Sequence, residues 1–334
     1  MVRVGVIGLG MMGRMHYAAW EKIDGAEVVA IADADPKRAA GNLDGGWSNI
    51  EGGADALDME RVAGTTDYRE LVAMEAVDLV DVCVPTPFHA EMAVAALQAG
   101  KHCICEKPLA RTTEQARQIV AAAEQASGFL LPAMCIRFWP EWAWLKRMVE
   151  RGSYGPVRDA FFRRVGSPPP GWFQNGEMSG GAILDLHLHD TDFVKFVFGR
   201  PRAVHSYGYS KLTGEIDCVL THYLYDDGPM VTAEGSWALA DGFGFSMGYS
   251  VNFENATAEY VMSRDDPLVV YQGGQATPQA CEGADGYFNE LSYMAECVAA
   301  GTAPSLVTAA DAAESLEIVD AERRSVETGQ AVDL

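Results

Sequence analysis

Met1-Val-Arg-Val-Gly-Val-Ile-Gly8-Leu-Gly10-Met11-Met12-Gly13 carries an apolar run straight into the spacing Gly-x-Gly-x-x-Gly. A second apolar run, Val28-Val29-Ala30-Ile31-Ala32, ends on Asp33, twenty residues past the last glycine. Glycines cluster in many turns, but this group follows a strand, opens a helix and has its acidic partner at the distance a dinucleotide fold requires. Gly8 permits the tight turn, Gly10 lets a pyrophosphate approach the backbone, and Gly13 lets the new helix pack on the sheet. The free N–H groups of the helix start, at Met11 and Met12, and the positive end of its dipole suit the phosphates. Asp33 is placed to accept hydrogen bonds from the adenosine ribose. A glycine-rich strand-to-helix turn without nucleotide is the alternative.

Composition narrows the field. At 334 residues the chain exceeds one typical core and is expected to form two domains. Its 49% hydrophobic and 22% charged residues describe an ordinary globular protein. No apolar run approaches the ~18 residues of a membrane span, and a strand beginning at once leaves no room for a signal peptide. Seven cysteines, an odd number without framework spacing, fit a reducing cytoplasm, and Cys103-x-Cys105 reads as a pair of buried thiols. A net charge of −22 argues against nucleic acid and against an anionic membrane as partners.

Up to about residue 135 short apolar runs alternate with helical stretches, the pattern of βαβ units on a doubly wound parallel sheet. The runs predict strands over 2–8, 27–32, 78–84, 102–106 and 129–135, with helices starting near Met12, Pro36, Phe88 and Thr112. Residues 41–64 read as a polar, glycine-rich excursion. The junction falls near Arg137-Phe138-Trp139-Pro140, which gives a nucleotide-binding Rossmann domain over 1–136 and an α+β domain over 137–334. In the second domain the spacing predicts a helix over 141–151, a strand over 157–164 and a proline-rich loop, Ser167-Pro168-Pro169-Pro170-Gly171-Trp172. A continuous helix over 180–198 comes next. Strands near 202–211, 216–225, 229–238, 245–253 and 256–262 are then expected as an antiparallel meander on a large open sheet. Two last helices are expected over 285–300 and 308–328.

Ligands of such sheets lie beyond the carboxyl ends of the strands, and three of those ends are loaded. One is the glycine loop. Another is Val84-Pro85-Thr86-Pro87-Phe88-His89, where Pro85, Thr86 and His89 are cofactor-site candidates. The third is Cys105-Glu106-Lys107-Pro108-Leu109. An ionisable Glu106-Lys107 pair ending an apolar strand is costly unless paired or set in a cleft; a structural salt bridge and a functional lysine remain open. Further on, Gly180-Gly181-Ala182-Ile183-Leu184-Asp185-Leu186-His187-Leu188-His189-Asp190-Thr191-Asp192 places Asp185 and His189 four residues apart on a helix. A carboxylate beside an imidazole fixes its tautomer and raises its basicity, which suits proton transfer. A capping aspartate with a satisfied histidine is the bland alternative. On a strand, His187 and His189 would instead face together as metal ligands, but no Glu or Cys completes the set, so no metal is expected.

These segments taken together, Gly8–Gly13, Thr86-Pro87-x-x-Ala90, Glu106-Lys107-Pro108 and the Gly180-to-Asp192 stretch, resemble the glucose–fructose oxidoreductase / inositol dehydrogenase (Gfo/Idh/MocA) family over essentially the whole chain. Arg137-Phe138-x-Pro140 and Gly152-x-x-Gly155-x-Val157 match its domain junction. The resemblance implies an NAD(H)-dependent oxidoreductase moving hydride between nicotinamide and a hydroxyl-bearing carbon of a sugar or cyclitol. It also implies a catalytic cluster of Lys107, Asp185 and His189, a cis bond at Lys107–Pro108, and dimers or tetramers. His187 departs from the family pattern, which has glycine there, and adds a third titratable ring. An NAD-retaining glycosidase and a catalytically silent NAD-binding sensor are the alternatives.

Asp33 would repel the 2′-phosphate of NADP, so NAD is the expected cofactor, with Lys37 and Arg38 partly offsetting the repulsion and Arg38 counted with the cofactor site. Substrate contacts are expected from Arg137, Arg163, Trp172 and His187. Tyr207, Tyr209, Tyr223, Tyr225, Trp237 and Phe253 are expected to line an exposed sheet face through which a homodimer or homotetramer forms.

Overall fold

The computed structural model describes residues 1–44 and 52–334, and every count below refers to those residues. Of the expected excursion over 41–64, residues 45–51 lie outside them. The chain forms two compact units, Met1–Phe138 with Ala284–Ala313, and Trp139–Gly283 with Glu314–Leu334.

The first unit is built on β1 (Val2–Ile7), α1 (Met11–Trp20), β2 (Ala26–Ala32), α2 (Pro36–Ala39), β3 (Ala63–Thr65), α3 (Tyr68–Ala73), β4 (Leu79–Val82), α4 (His89–Gln98), β5 (His102–Glu106), α5 (Thr113–Gln125) and β6 (Leu130–Ala133). The strands form one sheet in the order β3-β2-β1-β4-β5-β6, every pair parallel. Sheet order reverses between β1 and β4, so the loops after those two strands flank the switch point where such folds bind ligands. Helices cover both faces, and the central strands are accordingly mostly apolar rather than alternating: in β4, Leu79, Val80 and Val82 have no exposed surface, and Asp81 is buried among them. Asp35, Asp67 and Thr112 cap α2, α3 and α5 by accepting from the N–H groups of Lys37, Arg69 and Gln115. β3 and α3 fall in a stretch where no element is expected.

The second unit opens with α6 (Pro140–Arg151), started by Pro140 in its first turn. Gly152 ends it at φ +59°, with Ser153 N–H reaching back to the Met148 carbonyl. Then come β7 (Val157–Gly166), α7 (Gly176–Ser179), α8 (Gly181–Asp185), α9 (Leu188–Phe198), β8 (Ala203–Tyr209), β9 (Cys218–Leu224), β10 (Met230–Ser236), β11 (Phe245–Phe253), β12 (Thr257–Val261), β13 (Leu268–Gln272) and β14 (Gln275–Pro278). The helices α10 (Gly286–Ala300) and α11 (Ala309–Thr328) and the short β15 (Val332–Asp333) complete the chain. Nine strands form one sheet in the order β14-β13-β12-β11-β7-β10-β9-β8-β15.

Three sequence expectations change here. The sheet is mostly antiparallel, but it is not one continuous meander, because β7 enters between β10 and β11, parallel to the first and antiparallel to the second. α10 is part of the first unit, where it packs on α1. The helix expected over 180–198 is broken after Asp185. His187 N–H bonds the Ala182 carbonyl five residues back and His189 N–H bonds Leu186 three back, so neither keeps the α-helical partner. The segment is helical on both sides of the break, which removes the strand alternation that would have paired His187 with His189 as metal ligands.

β7 sorts its side chains by face. Phe162 lies in an aromatic core with Trp142, Phe193 and Tyr249, and Arg164 donates from Nε to Asp190 of α9 at 2.8 Å. Phe161 and Arg163 take the opposite face, where Phe161 is 38% exposed. Tyr207 and Tyr209 are each 55% exposed and Met230 73%. Tyr223, Trp237 and Phe253, expected among the exposed rings, are buried instead; strand alternation turns Tyr223 and Phe253 inward, and Trp237, just past β10, packs with Ala182 and Leu186.

Candidate active site

The glycine loop has the shape a dinucleotide needs. Gly8 has φ +89°, and a Cβ there would meet the Cys83 carbonyl oxygen at 2.6 Å. A Cβ on Gly13 would lie 1.7 Å from the Gly8 carbonyl oxygen, so α1 leaves the loop in direct contact with it. A Cβ on Gly10, by contrast, would meet nothing within 4 Å. That open space lies at the N-cap of α1, where no side chain caps the first N–H groups, Met11 and Met12 among them. Across the switch point, the buried Thr86 Oγ1 has no hydrogen-bond partner among the described residues. An open approach to free N–H groups, with an orphaned hydroxyl opposite, fits a dinucleotide phosphate.

Asp33 ends β2 only 7% exposed. One carboxylate oxygen accepts from Leu9 N–H at 2.8 Å and Arg38 Nε at 2.9 Å; the other accepts from Asp35 N–H and Arg38 Nη2, both at 2.8 Å. Arg38 is therefore a fork on Asp33. Its charge offsets that of the carboxylate meant to discriminate against a 2′-phosphate.

Lys107 follows β5, and the Lys107–Pro108 bond is cis. Lys107 is partly exposed, whereas Glu106 before it and Pro108 after it are buried. The Lys107 N–H donates to Glu106 Oε2 at 2.9 Å. Glu106 Oε1 lies 3.1 Å from His16 Nε2, a charge contact bent away from a linear hydrogen bond. His16 Nδ1 lies 3.0 Å from Asp81 Oδ2, which also accepts from Trp20 Nε1 at 2.8 Å, and the Cys83 thiol donates to Asp81 Oδ1 at 3.4 Å. Burial disfavours charge on the His16 ring, but Cys83 and the Asp81 carboxylate outweigh it and hold its pKa well above the usual imidazole range. Burial pushes the carboxyl of neighbouring Glu290, on α10, well above the usual carboxylate range. His16, Asp81 and Cys83 set three ligand-type atoms within 4.8 Å of one another. Those atoms are engaged with one another and with Trp20.

His16, Asp81 and Cys83 are not among the site residues expected from the sequence. A signal was present: a histidine three residues past the last glycine and an aspartate inside an apolar strand are both polar residues at core positions. His89 is corrected. Expected at the cofactor, it is 1% exposed with its ring between two carbonyl oxygens, Pro108 O on Nδ1 and Val84 O on Nε2, each at 2.7 Å. It ties two loops together and has no ring nitrogen left for a ligand.

In the second unit Asp185 ends α8 and His189 lies one residue into α9, 6% and 9% exposed. His187, between them, is fully buried. Its side chain fills the space over Gly235, where an added Cβ would come within 2.6 Å of the His187 Cβ and 2.7 Å of Nδ1. Its Nε2 lies 3.4 Å from the Tyr223 hydroxyl and 3.6 Å from Glu322 Oε1, and Thr191 Oγ1 bonds both of those groups at 3.0 Å. A ring sealed in that network cannot touch substrate. Two other expected substrate contacts are engaged within the protein. Arg137 is 6% exposed and donates to the Leu306 carbonyl at 2.7 Å beside Asp311. Arg163 pairs with Glu234 at 2.8 Å on the sheet face opposite α9. Trp172 stacks on Phe173, ring centres 4.1 Å apart, and stays half-buried.

Comparison with known proteins followed the same lines. Residues 2–133 match the model of an oxidoreductase family with an NAD-binding Rossmann fold, and residues 142–259 match the GFO/IDH/MocA C-terminal domain. D-apiose dehydrogenase of Paraburkholderia graminis is 33% identical over 232 residues, 65% of this chain and 56% of that protein. The NAD(+)-dependent scyllo-inositol 2-dehydrogenase of Bacillus subtilis is 26% identical over 357 aligned positions, covering 100% of this chain and 96% of its own. Several other alignments are partial, spanning 53 to 68% of the relative's length. A solved levoglucosan dehydrogenase in complex with NADH and levoglucosan superposes with a TM-score of 0.85 at 22% identity, over 99% of both chains, which establishes the shared fold.

Proposed function

The chain belongs to the Gfo/Idh/MocA oxidoreductase family, and on that basis we propose that it transfers hydride between NAD and a hydroxyl-bearing carbon of a sugar or cyclitol. The observation that supports this most is Lys107, partly exposed beyond β5 in the unit that carries the open glycine loop, while its flanking residues are buried. When bound, the nicotinamide supplies the hydride acceptor or donor. Gly10 and the first N–H groups of α1 bind the pyrophosphate, with the Thr86 hydroxyl opposite and Asp33 on the adenosine ribose. Lys107 donates a hydrogen bond to the substrate oxygen as negative charge grows on it. His189 takes the hydroxyl proton, and Asp185 holds the imidazole in the tautomer that accepts it. Net accumulation of NADH with a panel of aldoses, cyclitols and glycosides, read by absorbance, tests the reading. Turnover of a glycoside without net NADH would replace it with the NAD-retaining glycosidase.

NAD is preferred over NADP. A 2′-phosphate charge about 4 Å from Asp33 would cost up to roughly 4 kcal/mol at an effective dielectric of about 20, and the Arg38 fork removes part of that. The expected kcat/KM advantage of NAD is therefore about tenfold to 10²-fold rather than absolute. An NADP efficiency equal to or above that of NAD overturns the assignment.

The outer face of the large sheet carries Phe161, Tyr207, Tyr209 and Met230, all exposed. The His222–Thr232 hydrogen bond and the Arg163–Glu234 pair lie among them. Among the described residues no helix covers these side chains, and pairing two such faces across a two-fold axis would bury them and make a homodimer or homotetramer. Light scattering at micromolar concentration is expected to give a multiple of 36.1 kDa; a monomeric mass refutes it.

A further inference from the structure

Lys107 is held from both sides by histidines that never reach solvent. On its N-terminal side Glu106 accepts the Lys107 N–H at 2.9 Å, and the second oxygen of the same carboxylate meets His16 Nε2 at 3.1 Å. On its C-terminal side the Pro108 carbonyl meets His89 Nδ1 at 2.7 Å. His16 comes from α1, the helix that leaves the glycine loop, and His89 opens α4, directly after the Thr86 loop. The other nitrogen of each also faces the protein: His16 Nδ1 lies 3.0 Å from Asp81, and His89 Nε2 lies 2.7 Å from the Val84 carbonyl, with one N–H of the neutral ring between its two carbonyls. His16 is 0% and His89 1% exposed, so neither serves as a ligand contact. A buried imidazole ring among carboxylates costs desolvation, and a fold that needed only apolar filling at these positions would not carry it.

We infer that His16 and His89 are positioning residues for Lys107, locking its backbone to the glycine-loop helix and to the Thr86 loop so that the ammonium is aimed where the substrate oxygen develops charge. The inference rests on the function proposed above for Lys107. Rigid placement is what such a donor requires, because a misplacement of about 1 Å costs on the order of 10²-fold in rate. The long, flexible lysine stem gains accuracy only if its Cα is fixed.

Asparagine places its amide where the imidazole has Nδ1, and glutamine where it has Nε2. At position 16 the atom facing Glu106 is Nε2, so His16→Gln keeps a donor toward Glu106 and His16→Asn loses it. At position 89 the atom facing Pro108 is Nδ1, so the pattern reverses: His89→Asn keeps the link and His89→Gln severs it. The severing variants, His16→Asn and His89→Gln, are expected to lower kcat at least tenfold more than their partners, toward the roughly 10²-fold of a misplaced donor, with NADH affinity from fluorescence titration held. Acetylation of Lys107 by acetic anhydride, followed by mass spectrometry without any sugar, is expected to change rate several-fold in the severing pair alone. That readout stands even if no sugar is turned over, a result that would sink the proposed function and not this inference. Equal effects of Asn and Gln at each position, or Lys107 labelling that none of the four alters, overturn the inference. Should a severing variant fail to fold, ¹⁵N shifts of the His16 ring in the wild-type protein decide the point. Both nitrogens protonated at neutral pH support it, and a ring with a bare Nε2 overturns it, since His16 would then offer Glu106 no donor.

Discussion

His189→Ala is expected to lower turnover by about 10² to 10⁴-fold, the usual contribution of a positioned general base, with NADH affinity nearly unchanged. The second half follows from placement: His189 lies on α9 of one unit, whereas the glycine loop, Asp33 and Thr86 belong to the other. Lys107→Met is expected to be as severe, because it removes both the charge and the donor meant for the developing alkoxide. The two losses should fall on kcat more than on KM, since each interaction strengthens as the proton and hydride depart. Asp185→Asn tests the orientation of the imidazole and should sit between wild type and His189→Ala. If His189→Ala keeps wild-type turnover while NADH still forms, the acid/base assignment is wrong and another group accepts the proton.

Gly13→Ala is expected to remove NADH binding, raising the dissociation constant at least tenfold, a change of about 1.4 kcal/mol, and to lower the melting temperature as well. The added Cβ would stand 1.7 Å from the Gly8 carbonyl oxygen and 2.8 Å from its carbon. Both are backbone atoms, so the loop itself must shift, and overpacking of this kind typically costs about 1–3 kcal/mol. Gly10→Ala separates the two effects. Its Cβ meets nothing within 4 Å, so the melting temperature should hold while a methyl group stands in the path of the pyrophosphate. Titration of NADH fluorescence and a thermal melt read both variants. A Gly13→Ala protein that binds NADH like wild type would mean the loop has slack that the contact distances deny.

The features legible in the chain alone lie within a few residues of each signal. Strand and helix periods, the glycine spacing, the acidic residue ending β2, the caps and the Glu106-Lys107-Pro108 turn are local patterns, and β5 over His102–Glu106 and β11 over Phe245–Phe253 fall where those patterns put them. Alternation also gives the parallel doubly wound sheet, because short strands separated by helices have few other ways to bury their faces. Tertiary structure decided the rest. β7 pairs with β10 and β11 across more than sixty residues of chain, and that choice turned Arg163 to the face opposite α9. α10 is drawn to the first unit by α1, nearly three hundred residues earlier. The break after Asp185 and the burial of His187 depend on a glycine at 235 and a carboxylate at 322. His16, Asp81 and Glu106 form one charged cluster only because α1, β4 and β5 meet. Periodicity reports which side of an element is apolar, while the partner on that side is set by the summed packing of distant segments, and no window of sequence contains that sum.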